Sequence, residues 1–294
     1  MARTWLITGA SRGLGRALAH AVLENGDRLV ATARRPQDLA EFTGRYGDRV
    51  RAVALDVTDV DAAQAAVRTA VEAFGGLDVV ANNAGYANSG AIEETSIEEF
   101  REQIETNLFG VINVTKAALP VLRRQRSGVF LQFSSIGGRV GGTPGLAPYQ
   151  TAKFGVEGFS EVLAAETAPL GIKVVIVEPG GFRTDWAGSS MRIDATGEDY
   201  EETVGLMHRY RLDTAGNQPG DPDRAARLLT RIAALADPPR RLLLGTDAVA
   251  IALKAGDARQ DESRTWAAAG RATDFASEID LVLTPVTDLL DQAG

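Results

Sequence analysis

Short runs of apolar, mostly β-branched residues alternate along the chain with longer stretches in which apolar residues recur every three to four positions. The short runs are typical of strands buried on both faces, and the periodic stretches are typical of amphipathic helices. The predicted strands are residues 5–8, 28–32, 50–55, 77–82, 129–134, 173–178 and 241–244. The predicted helices are residues 14–22, 60–74, 97–124, 149–168 and 224–235.

Strands that alternate with helices form βαβ units, whose right-handed crossovers build a parallel sheet covered by helices on both faces. The sequence therefore predicts an α/β protein with a doubly wound parallel sheet. We expect one domain over residues 1–250 and a helical extension over residues 251–294, which packs on this domain or on a partner subunit. Residues 181–223 lack a clear period, and a loop segment of this length in a compact domain is usually functional.

Composition narrows the possible chemistry. The chain has 294 residues, no cysteine and two histidines, His20 and His208. Disulfides, thiolate nucleophiles and cysteine–zinc sites are therefore excluded, no metal site is predicted, and proton transfer falls to Tyr, Lys, Asp or Glu. The formal net charge of −8 disfavours nucleic acid and anionic membranes as partners. We find no signal-peptide pattern and no stretch of about 20 apolar residues, so we expect a cytoplasmic protein without membrane spans.

A glycine-rich turn follows the first predicted strand and leads directly into the first helix. Glycines permit a tight turn and a close approach of the backbone, and a helix N-terminus offers free N–H groups to a phosphate. The position of the turn in the first βαβ unit therefore predicts a dinucleotide site. Its candidate cofactor-binding residues are Gly9, Ser11, Arg12, Gly13, Leu14 and Gly15.

The end of the second strand indicates which dinucleotide is bound. NAD enzymes usually carry an acidic residue there, which accepts hydrogen bonds from the ribose hydroxyls. In this chain Ala33 and Arg34 take that place and Arg35 follows. A guanidinium binds a 2′-phosphate bidentately, and Arg12 is a second candidate for this contact. The sequence therefore favours NADP(H) over NAD(H).

Tyr149 and Lys153 stand four residues apart at the start of a predicted helix, so their side chains share one face. An ammonium stabilises a neighbouring phenolate, which predicts a Tyr149 pKa below the free value of about 10. With the glycine turn, this pair and four further features occur in one order that resembles the short-chain dehydrogenase/reductase family, in its single-domain branch. The further features are Asn82-Asn83-Ala84-Gly85, Asn107, Ser135, and the stretch from Pro179 to Thr184.

The resemblance covers residues 3–247 and implies a seven-stranded Rossmann-type sheet, a nicotinamide cofactor, and a homodimer or homotetramer. It implies that Tyr149 is the general acid/base and that Ser135 hydrogen-bonds the substrate oxygen. It also implies that Lys153 binds the nicotinamide ribose, and that Asn107 bends its helix and holds a water of the proton relay. The cofactor contacts that it implies are Asp56, Val57, Asn83, Ala84, Gly85, Tyr149, Lys153, Pro179, Phe182 and Thr184.

The chain departs from the family pattern at one point. The usual gap from the family serine to its tyrosine is 13 residues, whereas Ser135 and Tyr149 are 14 apart. The Gly- and Pro-rich residues 137–148 can absorb the extra residue, but Ser134 competes for the same role. Adjacent residues of a strand point in opposite directions, so only one serine faces the site. We favour Ser135 because it stands nearer the end of the strand.

These observations predict an NADPH-dependent ketone or aldehyde reductase that acts, reversibly, on a lipophilic small molecule. The expected substrate pocket is bounded by Tyr86, Gly137 to Leu146, and residues 182–210 with Trp186 and Met191. His208 is a further candidate substrate contact. Two alternatives are a catalytically silent NADP(H)-binding redox sensor or regulator and a nucleotide-sugar epimerase or dehydratase. The complete set of four catalytic candidates disfavours the first, and the Asn-Asn-Ala-Gly run and the short tail disfavour the second.

Overall fold

The structure is a computed structural model that describes residues 2–184, 191–275 and 287–288. Its strands are β1 Thr4–Ile7, β2 Arg28–Ala33, β3 Val50–Ala54, β4 Val79–Asn82, β5 Asn88–Ser89, β6 Gly128–Phe133, β7 Ile172–Pro179, β8 Arg192–Ile193 and β9 Arg241–Leu244. Its α-helices are α1 Gly13–Glu24, α2 Ala40–Tyr46, α3 Val60–Phe74, α4 Ile97–Ile104, α5 Gly110–Gln125, α6 Ile136–Arg139, α7 Ala147–Thr167, α8 Leu206–Thr214, α9 Pro222–Ile232, α10 Thr246–Thr265 and α11 Ala267–Arg271.

Seven strands form one parallel sheet in the order β3-β2-β1-β4-β6-β7-β9. The order of the strands reverses between β1 and β4, and ligands of such sheets bind outside the carboxyl ends of the strands at this switch point. The predicted α/β class and the doubly wound, seven-stranded sheet are confirmed. All seven predicted strands are present, with ends that differ by at most two residues from the prediction.

Two apolar cores cover the faces of this sheet, because successive side chains of each strand point to opposite faces. On one face Trp5 and Ile7 of β1 pack with buried residues of α1 and α9. On the other face Leu6 packs with buried residues of α3, α5 and α7. Each fully buried side chain of this size contributes roughly 1.5–3 kcal/mol. The packing of helices on both faces of the sheet holds the strand ends, and the loops that follow them, in fixed positions.

The structure differs from the predicted helices in several places. The single helix predicted over residues 97–124 is two helices, α4 and α5, joined by the π-helical turn Glu105–Phe109. The short helix α2 was not predicted, since only Phe42 of its seven residues is buried. Helix α8 lies in the segment expected to be a loop. Its buried residues are polar, His208 and Arg211, while Leu206, Tyr210 and Leu212 are exposed, so hydrophobic periodicity gives no signal.

The chain divides into two compact units, Met1–Ala248 and Val249–Gly294. The first unit contains the sheet and all predicted site residues. Residues 276–286 and 289–294 of the expected extension, and Trp186 of the expected substrate pocket, lie outside the described residues. In the described ranges, no helix is both long enough and apolar enough to cross a membrane.

Candidate active site

The glycine-rich turn joins the carboxyl end of β1 to the N-terminus of α1. Gly9 and Gly13 have φ angles of 65° and 55°, which L side chains rarely adopt. A Cβ atom on Gly15 would lie 2.3 Å from the carbonyl oxygen of Gly9. The three glycines therefore keep the turn tight and leave its backbone uncovered by side chains, beside the first N–H groups of α1. Between them, Ser11 is half-buried and Leu14 packs against the core.

Asn83 fixes this turn against β4. Its Nδ2 donates to the carbonyl oxygens of Thr8 and Gly9 at 2.9 and 3.2 Å. The Thr8 hydroxyl in turn accepts the backbone N–H groups of Asn83 and Ala84, both at 2.9 Å. These bonds join the ends of β1 and β4, the two strands at the switch point. Asn83 and Ala84 thus lie beside the glycine turn.

Three arginines near the turn differ in what neutralises them. Arg12 and Arg34 are exposed, and among the described residues neither makes a hydrogen bond or an ion pair through its side chain. Arg35 forms an ion pair with Asp38, whose Oδ2 lies 3.0 Å from its Nη2. The structure therefore distinguishes Arg35, whose charge is compensated, from Arg34 and Arg12, whose charges remain available to an anion.

Asp56 and Val57 follow β3 at the same edge of the sheet as the glycine turn. Asp56 Oδ1 accepts the N–H and the hydroxyl of Thr58 at 3.0 and 2.8 Å. Val57 is buried against α5, where a Cβ atom on Gly110 would lie 2.4 Å from its Cγ2. Asp56 therefore shapes the loop and Val57 anchors it, which places this loop among the possible cofactor contacts.

Ser135, Tyr149 and Lys153 are brought together at the carboxyl end of β6. The Ser135 hydroxyl hydrogen-bonds the side chain of Tyr149 and accepts the N–H of Gly137 at 3.1 Å. Lys153 Nζ lies 5.7 Å from the centre of the Tyr149 ring and donates to the Phe133 carbonyl oxygen at 2.7 Å. Tyr149 and Lys153 are 7% and 4% exposed, so both polar groups act in a largely water-excluded environment.

Ser134 makes a different contact, since its Oγ donates to the backbone carbonyl oxygen of Lys153 in α7 at 3.5 Å. Ser135 is therefore the serine that the structure places against Tyr149. The loop between them contains Gly141, Gly142 and Gly145 with φ angles of 78°, 77° and 81°. Because glycine adopts these angles without strain, the loop accommodates the extra residue.

Burial governs the protonation of this pair. It raises the pKa of Tyr149 to about 12, against the lowering effect of the Ser135 hydrogen bond. It lowers the pKa of Lys153 to about 8. The expectation that Lys153 lowers the pKa of Tyr149 is thus not met in the cofactor-free protein, because desolvation of the phenolate dominates. At neutral pH Tyr149 keeps its proton, which is the form that can donate to an oxygen anion.

Asn107 lies inside the π-helical turn between α4 and α5. Its Oδ1 accepts the N–H of Tyr86 at 3.0 Å, and its Nδ2 donates to the carbonyl oxygens of Tyr86 and Gln103 at 2.9 and 2.8 Å. A Cβ atom on Gly85 would lie 2.4 Å from Asn107 Oδ1 and 3.6 Å from Lys153 Nζ. Asn107 therefore links the helix bend to residues 85–86 beside Lys153. Its role in holding a water stays a prediction.

Four of the expected substrate residues are in the described part of the chain, and two of them pack against Tyr149. Leu146 and Met191 form a small apolar cluster with Tyr149 and Ala87. Gly137 lies beside Ser135. Tyr86, next to the Asn107 contacts, is half-buried, and burial and the nearby Glu102 raise its pKa. Tyr149 therefore borders an apolar wall formed from three separate segments.

The residues after β7 divide between the site and the core. Thr184 lies against the glycine turn, because a Cβ atom built on Gly13 would lie 3.6 Å from the Cβ atom of Thr184. Pro179 ends β7. The Phe182 ring packs against the core on the α1 face of the sheet, while its backbone pairs with Gly220. Thr184 is thus the member of this stretch that lies against the glycine turn.

The sequence analysis missed two contributors to this geometry. Thr8 caps the end of β4 through its hydroxyl, and a hydroxyl residue directly before the first glycine of the turn was the available signal. Asp247, in the first turn of α10, accepts the N–H of Gly181 at 2.7 Å. No local pattern indicated this contact, because the two residues are 66 positions apart.

The assembled side chains can hold and exchange a proton at one oxygen atom. Tyr149 supplies a neutral O–H, and Ser135 supplies a second hydroxyl beside it. Lys153 supplies positive charge behind the ring. An oxygen that develops negative charge beside Ser135 and Tyr149 would therefore meet two donors, one of which can transfer its proton.

Comparison with known proteins agrees with this geometry. Residues 3–193 match the family model described as short chain dehydrogenase. The chain is 48% identical over 267 residues to the oxidoreductase BOA17 of Botryotinia fuckeliana, covering 90% of this chain and 97% of that protein. It is 36% identical over 241 residues to a 3-ketodihydrosphingosine reductase of Bacteroides thetaiotaomicron, covering 82% of this chain and 87% of that protein.

Solved structures show the same fold. A short-chain dehydrogenase from Streptomyces avermitilis superposes with a TM-score of 0.87 at 39% identity, covering 94% of this chain and all of that one. An alcohol dehydrogenase from Thermococcus sibiricus, complexed with 5-hydroxy-NADP, superposes with a TM-score of 0.67 at 29% identity, covering 83% and 96%. The protein is therefore an oxidoreductase of the short-chain dehydrogenase/reductase family, whose members bind a nicotinamide cofactor.

Proposed function

We propose that the protein is an NADPH-dependent carbonyl reductase that also works in reverse as an alcohol dehydrogenase. The observation that carries this proposal is the hydrogen bond between Ser135 and Tyr149, with Lys153 behind the ring, at the carboxyl edge of a parallel sheet. A protein that only senses NADP(H) has no physical need for a proton donor built in this way.

The cofactor fits the chain at several points. Bare backbone at Gly9, Gly13 and Gly15 suits a pyrophosphate, and the uncompensated charges of Arg12 and Arg34 suit a 2′-phosphate. When bound, the nicotinamide supplies the hydride that reduces the carbonyl carbon.

Tyr149 and Ser135 act on the carbonyl oxygen of the substrate. Ser135 orients the oxygen, and Tyr149 gives its proton to the alkoxide as the carbon is reduced. Because burial raises the pKa of Tyr149 to about 12, the side chain is fully protonated at neutral pH and is a competent donor. Lys153 holds positive charge near the ring and compensates the phenolate that remains after the transfer.

The substrate side favours an apolar ketone. Leu146, Met191 and Ala87 surround Tyr149 with aliphatic surface, which binds hydrocarbon better than it binds a sugar or a free phosphate. The similar protein from Bacteroides thetaiotaomicron is named a 3-ketodihydrosphingosine reductase. We therefore propose a lipophilic small-molecule ketone as the substrate.

The test is NADPH oxidation with a panel of aliphatic, aromatic and steroid-like ketones. Tyr149→Phe and Ser135→Ala should each lower turnover by about 10²-fold or more, whereas Ser134→Ala should retain most of it. Turnover that survives in Tyr149→Phe would refute the mechanism.

Cofactor preference is tested separately by titration. NADPH should bind more tightly than NADH. Arg34→Ala should reduce the ratio of the NADH dissociation constant to the NADPH dissociation constant by about tenfold or more, as expected for the loss of a charged hydrogen bond. Arg35→Ala is the matched comparison, because Arg35 is already paired with Asp38 and should change the preference less. Equal affinities for NADPH and NADH in the unaltered protein would contradict the phosphate argument.

A further inference from the structure

A buried polar cluster that takes no part in the chemistry above joins α8 to the rest of the first unit. Arg211 Nη1 donates to Ser89 Oγ at 2.6 Å, and Ser89 Oγ lies 2.9 Å from His208 Nε2. The other ring nitrogen, His208 Nδ1, lies 3.2 Å from the hydroxyl of Thr196. We call these four residues the α8 latch. Ser89, His208 and Arg211 are 0%, 7% and 6% exposed.

The chemistry of the groups sets the direction of the first hydrogen bond. A guanidinium can only donate, so Ser89 Oγ accepts from Arg211. The hydrogen bond between Ser89 and His208 can run either way, and only the form in which Nε2 accepts gives the Ser89 proton a partner among the hydrogen bonds of the described residues. Burial and Arg211 lower the pKa of His208, so we assign a neutral His208 with its proton on Nδ1, beside the Thr196 hydroxyl. The latch is a one-way chain from Arg211 through Ser89 and His208 to Thr196, and its imidazole is not free to contact a substrate.

Arg211 also ties α8 to the loop before α7. Its Nη2 donates to the carbonyl oxygen of Pro144 at 3.1 Å. Within the described part of the chain Arg211 has no carboxylate partner, and burial lowers its pKa to about 10. The fit around it is tight, since a Cβ atom on Gly145 would lie 2.7 Å from Ser89 Oγ and 3.6 Å from Arg211 Nη1. The cluster is thus closely packed against Gly145.

The α8 latch binds the two segments, at Ser89 and Pro144, that lead into the residues packed against Tyr149. Ser89 stands two residues after Ala87, and Pro144 stands two residues before Leu146. Ala87 and Leu146 contact Tyr149 in the apolar cluster that also holds Met191. The pairing of β5 with β8 extends this connection, since Ser89 lies opposite Ile193. A displacement of α8 would therefore reach the apolar wall at Tyr149.

We propose that His208 and Arg211 are positioning residues that hold α8 and the residues packed against Tyr149 in place, and that substrate binding requires this latch to be closed with a neutral His208. The proposal rests on the proposed reductase function for its kinetic readout. It assigns specificity and pH control to residues that do not touch the reacting atoms.

At acid pH the hydrogen bond between Ser89 and His208 should break, which opens the α8 latch. A proton on His208 Nε2 would remove the acceptor of the Ser89 hydrogen bond and place a second cation beside Arg211. The charged groups that act on His208 are Arg211 on its own helix, Asp194 after β8 and Glu201 in the preceding turn. Burial and Arg211 lower the pKa of His208, while the two carboxylates act in the opposite direction. Opening is therefore expected below the ordinary imidazole value of about 6.5.

The kinetic test compares Arg211→Met with Arg209→Met. Both substitutions lie on α8, but Arg209 is exposed and pairs only with Glu201 among the described residues. Arg211→Met should raise the KM for a ketone by about tenfold or more, with kcat and the NADPH dissociation constant little changed, because two charged hydrogen bonds to Ser89 and Pro144, which adjoin the wall, are lost. Arg209→Met should leave all three constants near their original values. An unchanged KM in Arg211→Met would overturn the proposal.

The pH test uses His208→Gln, whose amide oxygen can accept from Ser89 but cannot be protonated to a cation. The unaltered protein should lose ketone affinity as the pH falls below about 6.5, and His208→Gln should remove this acid limb. An acid limb that persists in the variant would contradict the role of His208.

Hydrogen–deuterium exchange supplies a readout that needs no activity. The amides of α8 should exchange faster in Arg211→Met at neutral pH and in the unaltered protein at acid pH, relative to the amides of α7. If no ketone is reduced but this exchange pattern is found, the proposed function fails and the latch stands as a structural element. Exchange in α8 that is the same in all states would refute the latch. Ser89→Ala repeats the measurement if Arg211→Met does not fold.

Discussion

Replacing Lys153 by methionine should make the cofactor-free protein more stable while it abolishes ketone reduction. Lys153 is almost fully buried, and burial lowers its pKa from 10.5 to about 8. This difference means that the unfolded chain holds the proton more tightly than the folded chain does. At 1.36 kcal/mol for each pKa unit, it corresponds to a cost of about 3 kcal/mol at pH 7. The Phe133 carbonyl oxygen would lose its donor, which offsets about 1 kcal/mol of the gain.

The sign of the pH dependence makes this prediction specific. Between pH 8 and 10.5 the unfolded chain binds a proton that the folded chain has released, so the free energy of unfolding rises with pH. The amount by which the buried Lys153 lowers the free energy of unfolding should fall from about 3 kcal/mol at pH 7 to about 1.4 kcal/mol at pH 9.5. The raised pKa of Tyr149 has the opposite sign and acts between pH 10 and about 12, so the comparison stops at pH 9.5.

Urea unfolding of the cofactor-free protein, followed by tryptophan fluorescence, measures both effects. The advantage of Lys153→Met over the unaltered protein should be about 2 kcal/mol at pH 7 and should vanish towards pH 9.5. Lys173→Met is the control, because Lys173 Nζ donates to the Leu235 carbonyl oxygen at the surface. A Lys153→Met protein that is less stable at pH 7, or an advantage that does not change with pH, would refute the reasoning.

Three further substitutions test the framework of the site. Gly15→Ala should weaken NADPH binding by at least about tenfold in a titration, because its Cβ would fall 2.3 Å from the Gly9 carbonyl oxygen; near-normal binding would show that the turn can relax. Glu178→Gln should lower the free energy of unfolding by about 3 kcal/mol, because it removes the buried carboxylate that Arg139 and Arg241 share, whereas Glu161→Gln at the exposed end of the same network should cost under about 1 kcal/mol. Asn107→Ala should cost about 2–3 kcal/mol of stability and reduce turnover, since it removes three buried hydrogen bonds; turnover equal to that of the unaltered protein would exclude a role for this contact at the site.

The sheet could be predicted from the sequence because each buried strand is a short apolar run bounded by turn residues. The bend at Asn107 was expected only from the family resemblance, because hydrophobic periodicity runs through both α4 and α5 and the break depends on side-chain bonds to Tyr86 and Gln103. Helix α8 was hidden for the reverse reason, since its buried side chains are polar while Leu206, Tyr210 and Leu212 are exposed.

The candidate catalytic residues could be named from spacing, but their energetics could not. The proximity of Tyr149 and Lys153 suggests a lowered tyrosine pKa, whereas burial of both side chains reverses the effect, and burial depends on the whole fold. Likewise, Arg34 and Arg35 are equivalent in sequence. Only the ion pair of Arg35 with Asp38 separates them.

The position of β1 bears on how the chain folds. This strand pairs with β2, which follows closely, and with β4, which is about 75 residues further along. During synthesis the first three strands can assemble as a local unit, but the other side of β1 stays open until β4 has been made. Its backbone groups and the apolar side chains of Leu6 and Ile7 are then exposed to other chains, and parallel pairing at long range is slow. The edge of β1 is therefore open to pairing with other chains until β4 has been made.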